Sequence, residues 1–402
     1  GHILDLEERA RAARWAISSE SRARLEACVF LAASERPIAD TGATWDADPY
    51  LLACANDRVV DLRTGDWHAG RQEDRLTLQT AAPYEPAAHC PRFEQFMAEV
   101  TGRDQDLAHY LQKCLGYSMS GDIGEQCLWF LFGPGSGGKT TLLRTIAKVL
   151  GSYSYTAPFS TFLKDPHGSS VSNDLAILQG KRFVPASEVR ERARLDEGRI
   201  KSLTGGDDVT ARFLHQEFFT FRPRVHLWLA VNHKPVVTDD SVGFWRRVRL
   251  VPFTQRFPLT PGLEAELEAE APGILAWLVR GCLLWQAEGL APPPAVRAAT
   301  DDYEQDSDPL VEFLTAMCKL DAAAALPAGE FYRLYATWAD DAGITGRERL
   351  SATAFGRLMP ERFRKDTASD GTRLYLGVRR RQLDDPPDKP RRSTTVPEGL
   401  DQ

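Results

Sequence analysis

Several things are missing from this 402-residue chain, and each absence removes a class of protein. No run of eighteen apolar residues occurs, so no membrane-spanning helix and no membrane partner are expected. No secretory leader is expected from the opening residues. The chain opens Gly1-His2 without an initiator methionine, which predicts a piece of a longer protein with an N-terminal domain missing. Its seven cysteines (28, 54, 90, 114, 127, 282 and 318) form no Cys-x-x-Cys pair. That argues against a structural zinc site and a disulfide framework, and fits reduced thiols in a cytosolic protein. There is no basic excess either. With 49 Lys and Arg against 56 Asp and Glu the net charge is −7, which excludes a broad nucleic-acid-coating surface but leaves room for a small basic channel.

What is present is ordinary for a globular protein of two to four domains, with 43% hydrophobic and 26% charged residues. One stretch stands out: Gly133-Pro134-Gly135-Ser136-Gly137-Gly138-Lys139-Thr140. The run before it, Cys127 to Phe132, reads as a buried strand, and Thr141 to Leu150 has helical spacing and ends at Gly151. A Gly-rich loop between strand and helix lets successive backbone N–H groups form a concave nest for phosphate oxygens, and the helix N-terminus adds partial positive charge. Lys139 would reach the β- and γ-phosphates and Thr140 would ligate Mg²⁺, so residues 133 to 141, Thr141 included, are the expected ATP-binding set.

Taken in order, residues 5 to 33 read as one or two helices whose alternating charges fit a solvated face or an oligomer contact. Residues 50–54 and 58–62 are short strand-like runs separated by turns. Phe93 to Val100 and Asp106 to Leu115 read as helices, the second ending at Gly116. Three further apolar runs, 182–187, 225–231 and 248–253, complete a parallel α/β core. A helical stretch from 261 to 288, broken at Pro272-Gly273, leads to Pro292-Pro293-Pro294, where that core is expected to end. Helices at 308–317, 330–340 and 351–359 with a strand at 373–378 fit a winged-helix module. Arg333, Arg347, Arg349, Arg357, Arg362, Arg364 and Lys365 make it locally basic, with or without a partner. The tail from Arg380 is Pro- and charge-rich and expected to be disordered. The expected division is 1–115, 116–290, 307–380 and a tail at 381–402.

A nucleotide hydrolase needs a carboxylate that orients water or holds the metal. Glu188 follows the strand 182–187, at the strand end where open α/β sheets place ligands. Asn232 ends the next apolar run and can hold the attacking water or sense the γ-phosphate. Arg246 and Arg247 precede the last strand, where an arginine can stabilise the transferring phosphoryl group, often of a neighbouring subunit. Between Glu188 and Asn232, the runs 209–214 and 218–221 suggest a β-hairpin. Its side chains Arg212 and His215, with Lys201 nearby, could grip single-stranded nucleic acid, or the hairpin could pack on its own subunit.

In this order, GPGSGGKT, KRFVPASE, IKSLTGGDDVTARFLHQEFF, LWLAVNHKP and GFWRRVRLVPF resemble a superfamily 3 helicase of the phage and plasmid primase–helicase type, related to the poxvirus helicase-primase. The stretch ANDRVVDLRTGDW…PRFEQFMAEV…YLQKCLGY resembles the domain that precedes the ATPase in that group, and the likeness spans about residues 50 to 380. It implies an AAA+ P-loop core between a helical or mixed N-terminal domain and a C-terminal winged helix. It further implies a homo-hexameric ring with ATP between subunits, single-stranded DNA in the pore translocated 3′ to 5′, and a primase-polymerase domain in the full-length protein. By motif match Lys139 and Thr140 are Walker A, Glu188 Walker B, Asn232 sensor 1, and Arg246 or Arg247 the arginine finger, with the 209–221 hairpin carrying DNA. Two departures stand out. Gly137 replaces a frequent asparagine, and Ser187-Glu188 replaces a pair of carboxylates, leaving Mg²⁺ more dependent on Thr140 and water.

Two functions fit: an ATP-driven replicative DNA helicase, and an ATP-switched initiator or loader that assembles on DNA without processive unwinding. A metabolic P-loop kinase is disfavoured because no small-molecule acceptor site is visible.

Overall fold

A computed structural model describes residues 6–36, 38–40, 42, 44–164, 173–187, 193–214, 216–237, 241–307, 310–344, 349–382 and 385. The N-terminal helical stretch divides into α1 (Leu6–Ser19) and α2 (Arg22–Ala32), with Ser21 at the N-cap of the second. No side chain of α2 is buried. Next comes an antiparallel sheet of β1 (Leu51–Ala53), β2 (Arg58–Asp61) and β3 (Trp67–Ala69). The first two strands match the apolar runs; the third is three residues long with its first and last residues exposed, too short to show as a pattern.

Helices α3 (Pro91–Val100) and α4 (Gln105–Tyr117) follow. Pro91 opens α3 where no N–H is needed, and the Asp104 carboxylate caps α4 by accepting from Leu107 N at 3.0 Å. Helix α4 ends at Tyr117, one residue past the expected Gly116.

The central unit takes in β4 (Leu128–Phe132), α5 (Lys139–Leu150), α6 (Asn173–Ala176), β5 (Phe183–Ser187), α7 (Glu197–Gly205) and the hairpin β6 (Val209–Ala211) and β7 (Phe219–Phe221). It continues with β8 (His226–Val231), α8 (Val242–Trp245), β9 (Val248–Pro252), α9 (Leu263–Ala269), α10 (Ala271–Glu288) and α11 (Pro294–Ser307). Its main sheet is all parallel in the order β5-β8-β4-β9. Every residue of β8 is buried, as expected for a strand covered on both faces. Residues 154–157 run beside the free edge of β5, with Tyr155 N donating to Phe183 O at 3.1 Å and Ala157 N to Pro185 O at 2.9 Å.

Helix α10 packs on α4 and α5 and shares one core with Trp129, Leu131 and Trp228 of the sheet. The contact is close enough to exclude side chains. A Cβ on Gly116 would lie 2.2 Å from Cys282 N, and one on Gly281 would lie 2.2 Å from Gln112 O. Gly116, in the last turn of α4, is thus also the point of close approach to α10. The break expected at Pro272-Gly273 lies earlier, at Glu270; Pro272 sits in the first turn of α10, where a missing N–H costs nothing. Past Pro292–Pro294 packing continues: α11 lies along β9, Thr300 Oγ1 accepts from Leu250 N at 3.0 Å, and Tyr303 is buried in the same core as β8.

The C-terminal part holds α12 (Val311–Met317), β10 (Cys318–Pro327), α13 (Ala328–Asp341), α14 (Ala352–Leu358), β11 (Lys365–Thr367) and β12 (Arg373–Arg380). Its antiparallel sheet has the order β10-β12-β11. Phe313, Phe331, Tyr335, Phe355 and Tyr375 form its core. Strand β10 went unread because Ala322–Ala325 carries no strand-like pattern; it pairs with β12 across a register shift between Leu320 and Ala325. Of the tail beyond Arg380, all but 381, 382 and 385 lies outside the described residues. Among the described residues no helix is long and apolar enough to cross a membrane.

Candidate nucleotide-binding site

Strand β4 delivers the chain to the Gly-rich loop at the C-terminal edge of the parallel sheet. Phe253 N donates to Phe132 O at 2.7 Å, so the loop starts hard against the continuation of β9. A Cβ on Gly133 would lie 1.9 Å from Phe253 O, which restricts that position to glycine. Two residues then turn left-handed, Ser136 at φ +61° and Gly138 at φ +82°. Gly138 is the N-cap of α5, and a Cβ there would lie 2.5 Å from Val100 Cγ1 of α3. Helix α5 begins at Lys139, so Lys139, Thr140 and Thr141 form its first turn, two residues earlier than the apolar spacing indicates. Gly135 and Ser136 are exposed.

Lys139 is buried, 5% exposed. Its Nζ donates to Gly133 O and Pro134 O, each at 2.7 Å, and to Asn232 Oδ1 at 3.0 Å. Burial pushes its pKa below that of a free lysine. The register Phe132↔Val231 between β4 and β8 places Asn232 beside Gly133, which brings two of the expected residues into direct contact. The loop after Asn232 is tied to α11: Tyr303 Oη donates to Pro235 O at 2.6 Å and Lys234 Nζ pairs with Asp306 Oδ2 at 2.6 Å. The sequence carried no signal for that tie. Ser187 closes β5 opposite Ala230, on the same edge. Glu188 itself lies outside the described residues.

The two arginines are at the other end of the sheet. Leu128 pairs with both Leu227 and Val248, so Arg246 and Arg247 flank the start of β9 while the Gly-rich loop follows the end of β4. A five-residue strand separates the two levels by about 17 Å at ~3.3 Å per residue. The pair also divides in environment. Arg246 is exposed, and its Nη2 donates to Gln126 Oε1 at 2.5 Å. Arg247 is 8% exposed and donates to Gly243 O, and burial with the neighbouring Arg246 charge pushes its pKa down. A groove of about 390 Å³ adjoins Arg246, lined in part by Val242, Trp245, Arg249, Arg297 and Asp301.

The hairpin strands are shorter than the apolar runs, leaving residues 212–218 as its tip. The Arg212 guanidinium lies 4.6 Å over the Phe218 ring, and Leu214 and Phe218 are exposed. Lys201 is on α7, away from the tip in sequence, and His215 lies outside the described residues. Among the described residues no group of three or more His, Cys, Asp or Glu side chains could hold a metal ion.

Residues 2–102 match the protein-family model described as D5 N terminal like, and residues 131–247 match one described as a family of unknown function, DUF5906. A putative helicase of Acanthamoeba polyphaga mimivirus is 26% identical over 294 residues, covering 67% of this chain and 30% of that protein. A second, from Frog virus 3, is 26% identical over 260 residues, covering 58% of this chain and 26% of that one. A putative primase of African swine fever virus is 29% identical over 130 residues, 32% of this chain and 13% of that protein. The chain thus spans less than a third of the length of these relatives. Among solved structures, the apo A form of the NrS-1 C terminal region superposes with a TM-score of 0.51 at 12% identity, covering 83% of each chain; the likeness is one of fold.

Proposed function

We propose that this chain is the ATP-driven helicase part of a viral-type primase–helicase: a superfamily 3, AAA+ motor that works as a hexameric ring on single-stranded DNA, moving 3′ to 5′. The observation that carries the reading is the contact of Lys139 Nζ with Asn232 Oδ1 at the C-terminal edge of a parallel sheet in which one strand separates β4 from β5. The names of the viral relatives, helicase and primase, and the match to the D5 N terminal like model support it.

Each residue has a task in this reading. Backbone N–H groups of residues 133–140 cradle the phosphates. Lys139 exchanges the Gly133 and Pro134 carbonyls for β- and γ-phosphate oxygens, which compensate its charge better than neutral carbonyls do. That exchange frees the Asn232 amide to hold the attacking water. Glu188 orients and deprotonates that water. The Thr140 hydroxyl and the Glu188 carboxylate are the residues that would hold Mg²⁺ brought in with the nucleotide, whose chemistry would be to neutralise phosphate charge. Arg246 is too far from its own phosphate loop and serves the next subunit's, which makes the ring a requirement for turnover. The hairpin tip, with Arg212, His215 and nearby Lys201, contacts DNA in the pore, and the C-terminal module is a winged helix.

The test is unwinding of a tailed duplex together with DNA-stimulated ATP hydrolysis, for the wild type and Lys139→Ala. Hydrolysis without unwinding in any assembly state would remove the helicase reading. The exposed Arg333, Arg357, Arg364 and Lys365 of the C-terminal module favour the second reading, an initiator or loader that binds duplex. Arg212→Ala combined with His215→Ala separates the two: it abolishes unwinding and spares duplex binding in a helicase.

A further inference from the structure

We infer that Gln126 presents Arg246 to the nucleotide of the neighbouring subunit, an inference that rests on the trans-arginine reading above. An exposed arginine has a long, rotamer-rich side chain, and a group that must meet a phosphoryl oxygen across an interface gains from being held in place beforehand. Gln126 is the partner that holds it: Arg246 Nη2 donates to Gln126 Oε1 at 2.5 Å.

Gln126 is itself fixed. Its backbone is left-handed at φ +51°, a conformation unfavourable for a side chain with a Cβ and sustained only where the surroundings impose it. The loop that imposes it is pinned on several sides. Tyr50 Oη donates to Asp122 Oδ2 at 2.8 Å, and the Nε2 of the buried His226 lies 2.8 Å from Asp122 O. Trp285 Nε1 donates to Glu125 Oε1 at 2.8 Å, Glu125 N donates to Tyr117 Oη at 3.3 Å, and Gln126 N donates to Ile123 O at 3.1 Å. On the arginine's side, Leu128 N donates to Arg247 O at 2.9 Å, so both partners hang from the same β4–β9 ladder.

The residue type fits the task. An amide oxygen is a neutral acceptor: it occupies one guanidinium N–H, leaves the others for phosphate, and does not cancel the positive charge that the transition state needs. A carboxylate in its place would form an ion pair and keep the arginine at home. The placement also links the two half-sites of one subunit. Strand β4 starts two residues after Gln126 and ends one residue before Gly133, so one buried strand carries the arginine's holder at one end and the phosphate loop at the other. Gln126 is therefore a positioning residue, acting only through Arg246.

The experiment measures DNA-stimulated ATP turnover of the full chain in its assembled state for Gln126→Met, Arg246→Ala and the double variant. Gln126→Met keeps the length and removes the acceptor; kcat should fall roughly tenfold with KM for ATP unchanged within about twofold. Arg246→Ala should cost about 10³-fold, and the double variant should equal Arg246→Ala alone. Gln126→Gly, which suits the left-handed backbone, should match Gln126→Met in turnover while melting no lower than the wild type. Wild-type turnover in Gln126→Met beside an inactive Arg246→Ala would overturn the positioning role and leave the trans arginine standing, as would losses that multiply in the double variant. Wild-type turnover in Arg246→Ala would overturn the trans-arginine reading and this inference with it.

Discussion

The Lys139 ammonium lies 3.0 Å from the side-chain oxygen of Asn232, a residue 93 positions later in the chain. The Gly-rich loop and the end of the adjacent strand are thus one unit, and a change at either should be felt at the other. Asn232→Ala leaves Lys139 its two carbonyl acceptors, so nucleotide binding should change little. Turnover should fall by roughly 10²-fold, the scale for losing one group that orients the reacting water or phosphate. Equilibrium binding of a fluorescent ATP analogue beside steady-state hydrolysis checks the split; parallel losses in both would contradict it.

The two adjacent arginines should fail in different ways. Arg246 is exposed, so Arg246→Ala should fold and melt like the wild type and lose hydrolysis. Mixing it with Lys139→Ala subunits should restore part of the activity, because a mixed interface pairs an intact loop with an intact arginine. Arg247 is buried and donates to Gly243 O. Arg247→Ala should lower stability by roughly 1–3 kcal/mol, read as a drop in melting temperature. Recovery of activity in the mixture is the decisive measurement.

Acid should destabilise the fold through His226. It is fully enclosed between Arg182 O and Asp122 O, and burial pushes its pKa down to about 4 from an ordinary 6.5. Between those two pH values the unfolded chain holds a proton that the folded chain does not. Stability is therefore complete above pH 6.5 and is lost as the pH falls toward 4, by roughly 3 kcal/mol in all. His226→Gln, which can still donate to Asp122 O, should flatten the melting temperature across that window. An unchanged acid slope in the variant would assign the loss to other groups.

The seam between α4 and α10 should be intolerant of even one methyl group. Gly116→Ala puts a carbon 2.2 Å from Cys282 N, against backbone that cannot swing aside. A destabilisation of roughly 3 kcal/mol is expected, enough to lower yield and melting temperature clearly. Gly135→Ala is the control: open space surrounds that position, and stability should hold.

Much of the core was legible because its signals are local. The runs 127–132, 182–187, 225–231 and 248–253 are strands within one or two residues of the apolar stretches, since a strand covered on both faces must be apolar throughout. Elements whose cause lies elsewhere in space were misread. Gly116 reads only as a helix end yet is also a contact point for α10, and Ala322–Ala325 looks featureless yet is the middle of a strand whose two ends pair with β12.

From the residues alone came the Gly-rich loop expected to bind phosphate, the candidates Lys139, Thr140, Glu188, Asn232, Arg246 and Arg247, and the parallel α/β class. These depend on glycine, charge and apolar runs that act over a few neighbours. Tertiary structure alone decided which of them meet. Strand order places Asn232 against Lys139, and strand direction sends both arginines to the far edge. Burial then separates Arg246 from Arg247, and Gln126, an unremarkable loop residue in the sequence, becomes a partner of Arg246. The reason is that register and burial are set by packing among residues distant in the chain.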